Sequence, residues 1–183
     1  TGFLGTHILR DLIKNPNTKK VFCLIRNKNG VLAENRFKKF IKDYFTYEDM
    51  ANLDKITIIN GDFEKENFGI SDEEYSNLTK KISTVIHCGA YVKHYGKYNK
   101  FHMTNVIGTE NVINFVHKSN AKLAHISTIS VGGYCDINDI KYLDENSINI
   151  GQTFNNHVYM ITKYEAECKV LDAINSGFIK AKI

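Results

Sequence analysis

The first 26 residues, TGFLGTHILRDLIKNPNTKKVFCLIR (1–26), hold the pattern that decides the fold. Gly2 and Gly5 are followed at once by apolar side chains at helical spacing, which predicts a helix from Thr6 to Lys14. The run from Lys20 to Ile25 is short, apolar and partly β-branched, which predicts a buried strand. A glycine turn, a helix and a buried strand in this order indicate the beginning of a layered α/β fold.

The same alternation continues along the chain. Three more apolar runs predict strands, at residues 55–60, 83–88 and 122–126, and three amphipathic stretches predict helices, at residues 31–45, 98–118 and 157–176. Alternating strands and helices imply parallel strands joined by right-handed crossovers. We therefore predict an α/β class fold with a doubly wound, Rossmann-like parallel sheet. The polar stretch 132–156 is a long loop of the kind that usually serves a site.

Composition limits the classes of function. The chain has 183 residues, 43% of them hydrophobic, which suits a single domain over 1–183 with one core. Its net charge of +4 is spread over the sequence, so we expect neither nucleic acid nor a membrane as a partner. The four cysteines have no zinc-ligand spacing, and we predict no metal site. Cys23 and Cys88 lie in apolar runs and are predicted to be buried thiols of a cytoplasmic protein.

The two ends of the sequence suggest a partial domain. The chain begins inside the glycine turn, and no strand precedes the turn. It stops at a strand-like run, residues 177–183. We expect a domain that is truncated at its N-terminal strand and that lacks a C-terminal substrate domain.

The glycine turn is a candidate dinucleotide site; the alternative is a plain turn at the start of a helix. Gly2 and Gly5 match the second half of a glycine-rich turn, where the backbone approaches a pyrophosphate and a helix N-terminus supplies N–H donors. An NAD site places an acid roughly 20 residues further on, at the ribose 2′-hydroxyl. Here the strand ends in Arg26, whose guanidinium suits a 2′-phosphate. We predict NADPH as the cofactor; the alternative is that Arg26 and Lys28 are solvated surface cations.

Two later strand ends carry further candidates. Asp62 follows the predicted strand 55–60 and is predicted to accept a hydrogen bond from the adenine amino group, unless Gly61-Asp62 is an ordinary turn. Gly89 and Ala90 follow the predicted strand 83–88, where small residues let the backbone pass close to the nicotinamide ribose. His87, at the end of that strand, is interpreted as a core histidine.

The third candidate is Tyr159-Met160-Ile161-Thr162-Lys163. Tyr159 and Lys163 share one helix face, so the ammonium favours the phenolate form of the tyrosine. The hydroxyl-rich segment Ser127-Thr128-Ile129-Ser130 at the end of the predicted strand 122–126 can hold a carbonyl oxygen. Together these residues form a candidate proton donor for hydride chemistry.

These segments, in this order, resemble the extended short-chain dehydrogenase/reductase superfamily. More narrowly they resemble its thioester-reductase branch: terminal reductase domains of nonribosomal peptide and polyketide synthetases, carboxylic acid reductases and fatty acyl-CoA reductases. The narrower resemblance depends on four segments, namely 1–7, 21–26, 125–131 and 159–167. It covers essentially the whole chain, but only the nucleotide-binding half of the family's fold.

The resemblance implies site residues at matching positions. Thr128, Tyr159 and Lys163 match the catalytic trio, Ser127 and Ser130 are supporting hydroxyls, and Asn105 matches a buried helix asparagine that orders the active-site backbone. The usual small residue plus Ser before the lysine is Ile161-Thr162 here. The residues expected to contact the cofactor are Thr1, Gly2, Phe3, Leu4, Gly5, Arg26, Asp62, Phe63, Gly89, Ala90, Asn105, Tyr159 and Lys163.

The function implied by the resemblance is NADPH-dependent reductive release of a carrier-bound acyl or peptidyl thioester as an aldehyde, with further reduction to the alcohol left open. The expected partner is an acyl or peptidyl carrier protein with a phosphopantetheine arm, in the same polypeptide. Two alternatives remain. One is a nucleotide-sugar epimerase or dehydratase, which usually favours an acid where Arg26 stands. The other is a non-catalytic NADP-binding regulator, which typically loses the tyrosine or the lysine.

Overall fold

A computed structural model describes residues 2–135, 144 and 148–183. The chain divides into two compact units, an N-terminal unit, Thr1–Ser71, and a C-terminal unit, Asp72–Ile183. A single domain over 1–183 stays a prediction. Within the described residues, no helix is long and apolar enough to cross a membrane.

The N-terminal unit is a two-stranded parallel sheet with helices. Its elements are α1 (Phe3–Lys14), β1 (Val21–Ile25), α2 (Ala33–Tyr44), α3 (Tyr47–Met50) and β2 (Ile56–Asn60), with short 3₁₀ segments at Leu53–Lys55 and Glu66–Gly69. Val21 pairs with Ile56 and Ile25 with Asn60. The carboxyl ends of both strands therefore lie at the same edge of the sheet. Arg26 is the first residue after β1, and Asp62 is the second residue after β2.

The apolar stripe predicted for the first helix forms the core of this unit. Leu9 and Ile13 of α1 pack with Ile25 of β1 and with Ala33 and Phe37 of α2. A buried carboxylate anchors α3 to α1.

That carboxylate is Asp49, whose side chain is fully buried. It lies 3.0 Å from Arg10 Nε and 2.8 Å from Lys14 Nζ, and it accepts the backbone N–H of Thr46 at 2.7 Å. These partners hold the pKa of Asp49 well below its usual range, against the opposing effect of burial.

The C-terminal unit is a three-stranded parallel sheet in the order β3-β4-β5. Its elements are α4 (Asp72–Thr79), β3 (Thr84–His87), α5 (Tyr98–His102), α6 (Gly108–Ser119), β4 (Lys122–His125), α7 (Val158–Asn175) and β5 (Lys180–Lys182). Strands that alternate with helices in two parallel sheets confirm the predicted α/β, Rossmann-like class.

Some local details differ from the sequence-based expectations. Helix α4 was not predicted, because its apolar positions are few and only Tyr75 and Leu78 are buried. The helix predicted over 98–118 is interrupted by a π-helical segment, Met103–Ile107. Cys88 is exposed rather than buried, because it lies one residue beyond the end of β3. Most of the predicted loop 132–156 is described, but residues 136–143 and 145–147 lie outside the described part.

Candidate active site

Helix α7 positions the predicted lysine deep inside the C-terminal unit. Lys163 is only 3% exposed, and its Nζ donates a hydrogen bond to the carbonyl oxygen of Ile126 at 2.9 Å. Burial lowers the pKa of Lys163 to about 8, although the nearby Glu167 carboxylate acts in the opposite direction. Tyr159, one turn earlier, is half-buried.

A second bond ties the same helix to the end of β4. The Ser127 hydroxyl donates to the Glu167 carboxylate. Ile126 and Ser127 are the two residues that follow β4, so α7 is held against this strand end at two consecutive positions. Glu167 lies in the segment 159–167 on which the resemblance depends, and the structure makes it a partner of the hydroxyl segment.

Thr128 begins a short 3₁₀ helix, Ile129–Gly132. Its hydroxyl oxygen accepts the backbone N–H of Ser130 at 3.2 Å, which fixes the turn that follows the strand. Helix α7 packs against this 3₁₀ helix. Among the described residues, no hydrogen bond joins the Tyr159 hydroxyl to Thr128 or Lys163.

Asn105 connects the segment after β3 with α7. It is almost fully buried in the π-helical segment, and its Oδ1 accepts the Tyr91 backbone N–H at 2.7 Å. Its Nδ2 donates to the Tyr91 carbonyl at 3.3 Å and to the Thr162 hydroxyl at 3.0 Å. Gly89 and Ala90, both half-buried, directly precede Tyr91. Thr162, which departs from the usual serine, thus supplies the acceptor for Asn105.

Two buried histidines lie beside the lysine. The rings of His87 and His125, at the ends of β3 and β4, are 5.4 Å apart. His87 Nε2 lies 3.1 Å from the Thr109 hydroxyl, and neither ring nitrogen of His125 has a hydrogen-bond partner among the described residues. Burial, followed by the Lys163 charge, lowers the pKa of each histidine to about 3. His87 is a core residue, as interpreted from the sequence. The sequence did not single out His125.

In the N-terminal unit, the predicted glycine turn is the first turn of a helix. Gly2 is the N-cap of α1, and its carbonyl accepts the Thr6 N–H at 3.0 Å. Helix α1 therefore begins three residues earlier than predicted, and Phe3, Leu4 and Gly5 lie in its first turn. Phe3 and Leu4 are exposed. Thr1 lies outside the described residues.

A Cβ added at Gly2 would meet nothing within 4 Å in the part of the chain that the structure describes. Packing within the N-terminal unit therefore does not require a glycine at position 2. The first N–H groups of an α-helix lack intrahelical partners, so this end suits an anion.

Arg26 and Asp62, predicted as separate cofactor contacts, contact each other. Arg26 Nη1 lies 3.1 Å from Asp62 Oδ2 and 2.6 Å from Glu64 Oε1. Arg36 Nη1 donates to the Arg26 carbonyl. Sequence reasoning missed Glu64 and Arg36. The only signal for Glu64 was a second carboxylate two residues after Asp62.

The loop that carries these carboxylates is tightly built. A Cβ on Gly61 would meet Leu24 Cδ1 at 2.7 Å and the Phe68 carbonyl oxygen at 2.8 Å, so only glycine fits there. Asn67 and Phe68 have φ of +47° and +59°. Phe63, predicted at the cofactor, is half-buried in the same loop.

Comparison with known proteins gives a consistent family. Residues 1–183 match the family described as NAD_binding_4, Male sterility protein. The nonribosomal peptide synthetase asaC of Aspergillus flavus is 39% identical over 73% of this chain, which spans 13% of that protein. The L-2-aminoadipate reductase large subunit of Penicillium chrysogenum is 38% identical over 71% of this chain, which spans 9% of that protein.

A solved structure supports the same relationship. The thiolation-reductase di-domain of an archaeal non-ribosomal peptide synthetase superposes with a TM-score of 0.82 and is 31% identical. The match covers all of this chain and 38% of that one. The chain therefore corresponds to a part of these relatives and to less than half of their length.

Proposed function

Because the chain belongs to the Male sterility protein (NAD_binding_4) family, we propose that it is the nucleotide-binding part of an NADPH-dependent thioester reductase. Two similar solved structures are reductase domains, one of the aureusimine biosynthetic cluster and one of an archaeal non-ribosomal peptide synthetase, which supports the oxidoreductase class. The matched family supports NAD(P) binding. The thioester substrate, the preference for NADPH and the release of an aldehyde are the proposed parts.

One observation carries the proposal. The Lys163 ammonium is buried and held on the Ile126 carbonyl, two residues before Thr128. Burial of a charged lysine costs free energy, so a buried lysine that is held by a hydrogen bond is a candidate for a functional role. This bond also anchors α7 at the end of β4, which the hydroxyl residues follow. The arrangement supports a preorganised site in which Tyr159, Lys163 and Thr128 act together.

Each unit, taken by itself, offers groups that suit a part of a dinucleotide. In the N-terminal unit, the first turn of α1 offers backbone N–H donors for a pyrophosphate, and Arg26 offers a guanidinium for a 2′-phosphate. In the C-terminal unit, we assign Gly89, Ala90, Asn105, Tyr159 and Lys163 to the nicotinamide end. When bound, NADPH supplies the hydride that reduces the thioester carbonyl.

The chain's own residues handle the oxygen and the proton. Tyr159 and Thr128 stabilise the developing oxyanion, and Tyr159 donates a proton to it. Lys163 would hold the nicotinamide ribose of a bound cofactor and keeps positive charge near the phenol. Collapse of the resulting hemithioacetal expels the pantetheine thiol and leaves the aldehyde.

We also propose an acyl or peptidyl carrier protein as partner, in the same polypeptide. The supporting observation is that an archaeal relative of known structure pairs a thiolation domain with its reductase domain. The synthetase relatives are much longer than this chain, which leaves room for such a domain.

Replacement of Tyr159 by Phe tests the mechanism. This change keeps the ring and removes the proton, so NADPH binding should survive while aldehyde formation falls ~10²- to 10⁴-fold. The measurement is NADPH consumption with aldehyde trapping on an acyl-pantetheine thioester, in the full-length protein. Tyr164→Phe, which removes a hydroxyl one turn away on α7, is the matched control and should keep near-normal turnover. Near-normal aldehyde formation by Tyr159→Phe would contradict the proposal.

A further inference from the structure

The ion pairs of Arg26 carry information beyond its predicted contact with the cofactor. Its side chain is 35% exposed and faces two carboxylates, Asp62 and Glu64. The Glu64 contact, at 2.6 Å, is the shorter of the two. Arg26 is therefore already engaged by anionic side chains of its own chain.

The two carboxylates differ in what else they do. Asp62 is part of the loop's framework: its Oδ1 accepts the Glu64 N–H at 3.1 Å, its N–H donates to the Phe68 carbonyl at 2.8 Å, and its carbonyl accepts the Lys65 N–H at 2.9 Å. Replacement of the Asp62 side chain would remove the Oδ1 acceptor of the Glu64 N–H and leave the two backbone hydrogen bonds in place. Glu64 contributes a partly exposed side chain, 22% accessible, at the end of a flexible two-carbon stem.

A 2′-phosphate and a carboxylate use the same donors of a guanidinium. The phosphate carries a charge of about −1.5 to −2, so it is repelled by a carboxylate that already sits on the arginine. A ribose 2′-hydroxyl carries no charge and escapes this repulsion. The position of Glu64 therefore opposes binding of NADPH more than binding of NADH.

We propose that Glu64 is a specificity-determining residue: it competes with the cofactor 2′-phosphate for Arg26 and so limits the preference for NADPH over NADH. This inference rests on the proposed function, because it requires that Arg26 contacts the 2′-phosphate. Binding of NADPH then exchanges one anion on the Arg26 guanidinium for another, with the Glu64 side chain moving into solvent.

The test compares dissociation constants for NADPH and NADH by fluorescence titration, in the full-length protein at one low ionic strength. Glu64→Gln keeps the size of the side chain and removes its charge. We expect NADPH to bind about 3- to 10-fold more tightly than it does to the unmutated protein, a gain of about 0.7 to 1.4 kcal/mol in binding free energy. The dissociation constant for NADH should not change. Glu66→Gln, which removes an exposed charge from the same loop, is the matched control and should change neither constant.

Arg26→Gln separates the inference from its premise. If Arg26→Gln weakens NADPH at least tenfold while Glu64→Gln changes nothing, the 2′-phosphate contact stands and the competition by Glu64 is refuted. Weaker NADPH binding in Glu64→Gln would also refute it, because Glu64 would then orient Arg26 for the phosphate. An equal gain for NADPH and NADH would show a general charge effect and refute the specificity role. If Arg26→Gln leaves the ratio of the two constants unchanged, the premise itself fails.

Discussion

The two units place their candidate cofactor cations in opposite surroundings. Lys163 of the C-terminal unit is buried and held by a backbone carbonyl, whereas Arg26 of the N-terminal unit is partly exposed and shared between two carboxylates. A buried cation with a fixed partner is preorganised, so removing it affects the chemistry. A partly exposed cation within an anionic cluster is tunable, so changing its neighbours affects selectivity.

The strongest test of this contrast is Lys163→Met. Methionine fills a similar volume without the charge, so the unit should fold, while turnover should fall ~10²-fold or more because the ribose contact and the charge beside Tyr159 are lost. The measurement is NADPH consumption at saturating cofactor, with circular dichroism as a check on folding. Arg26→Met, measured in the same way, should keep most of its turnover. Equal losses in both variants would remove the distinction between a preorganised and a tunable cation.

Asn105→Ala tests whether the C-terminal site depends on its buried hydrogen bonds. The change leaves the Tyr91 N–H without its acceptor, so the free energy of unfolding should fall by ~1–3 kcal/mol. The Thr162 hydroxyl loses the donor Asn105 but still donates to the Val158 carbonyl at 2.9 Å. Thr162→Ser is the control: it keeps the hydroxyl and loses one buried methyl, worth ~0.8 kcal/mol. Urea denaturation measures both. A smaller loss for Asn105→Ala than for Thr162→Ser would show that the network contributes little.

Acid should destabilise the two units at different pH values. The folded pKa of His87 and His125 is about 3 against 6.5 for an unperturbed histidine, so below pH 6.5 the unfolded chain takes up protons that the folded chain does not. Stability therefore falls as the pH decreases, by up to ~1.4 kcal/mol per pH unit for each histidine. Asp49 of the N-terminal unit has a lowered pKa, and its contribution is lost only below about 3.8.

The measurement is hydrogen exchange of the two units between pH 7 and pH 5, corrected for intrinsic rates. We expect the C-terminal unit to lose protection first. His125→Phe, which keeps a flat ring and breaks no hydrogen bond to a described residue, should weaken the pH dependence. Equal loss of protection in both units would count against the histidines as its cause.

Alkaline pH offers the finest comparison, because Lys163 titrates near pH 8 whereas a guanidinium stays charged. Turnover should fall about tenfold per pH unit above that value. Glu167 raises the pKa of Lys163, so Glu167→Gln should move the decline to lower pH. Glu165→Gln, on the same helix and bonded to the Tyr98 hydroxyl, should leave the profile in place. A profile that does not respond to Glu167→Gln would assign the decline to another group.

Local patterns accounted for the elements and several of their positions. Each of the four predicted strand runs contains an observed strand, namely 20–25, 55–60, 83–88 and 122–126. A buried parallel strand is a continuous apolar run, so it can be located from the sequence alone. Helices α1, α2 and α7 follow the predicted stripes within a few residues. The π-helical segment could not be predicted, since its five residues keep helical composition and differ only in hydrogen bonding.

The sequence by itself determined the class of fold, the order of its elements and the residue types that a reductase requires, because hydrophobic periodicity and short motifs are local properties. Only the tertiary structure decided which of those residues meet. Arg26 and Glu64 are 38 positions apart and Ser127 and Glu167 are 40 apart. Such pairs depend on the path of the whole chain, and they set which charges are shared, buried or shifted in pKa.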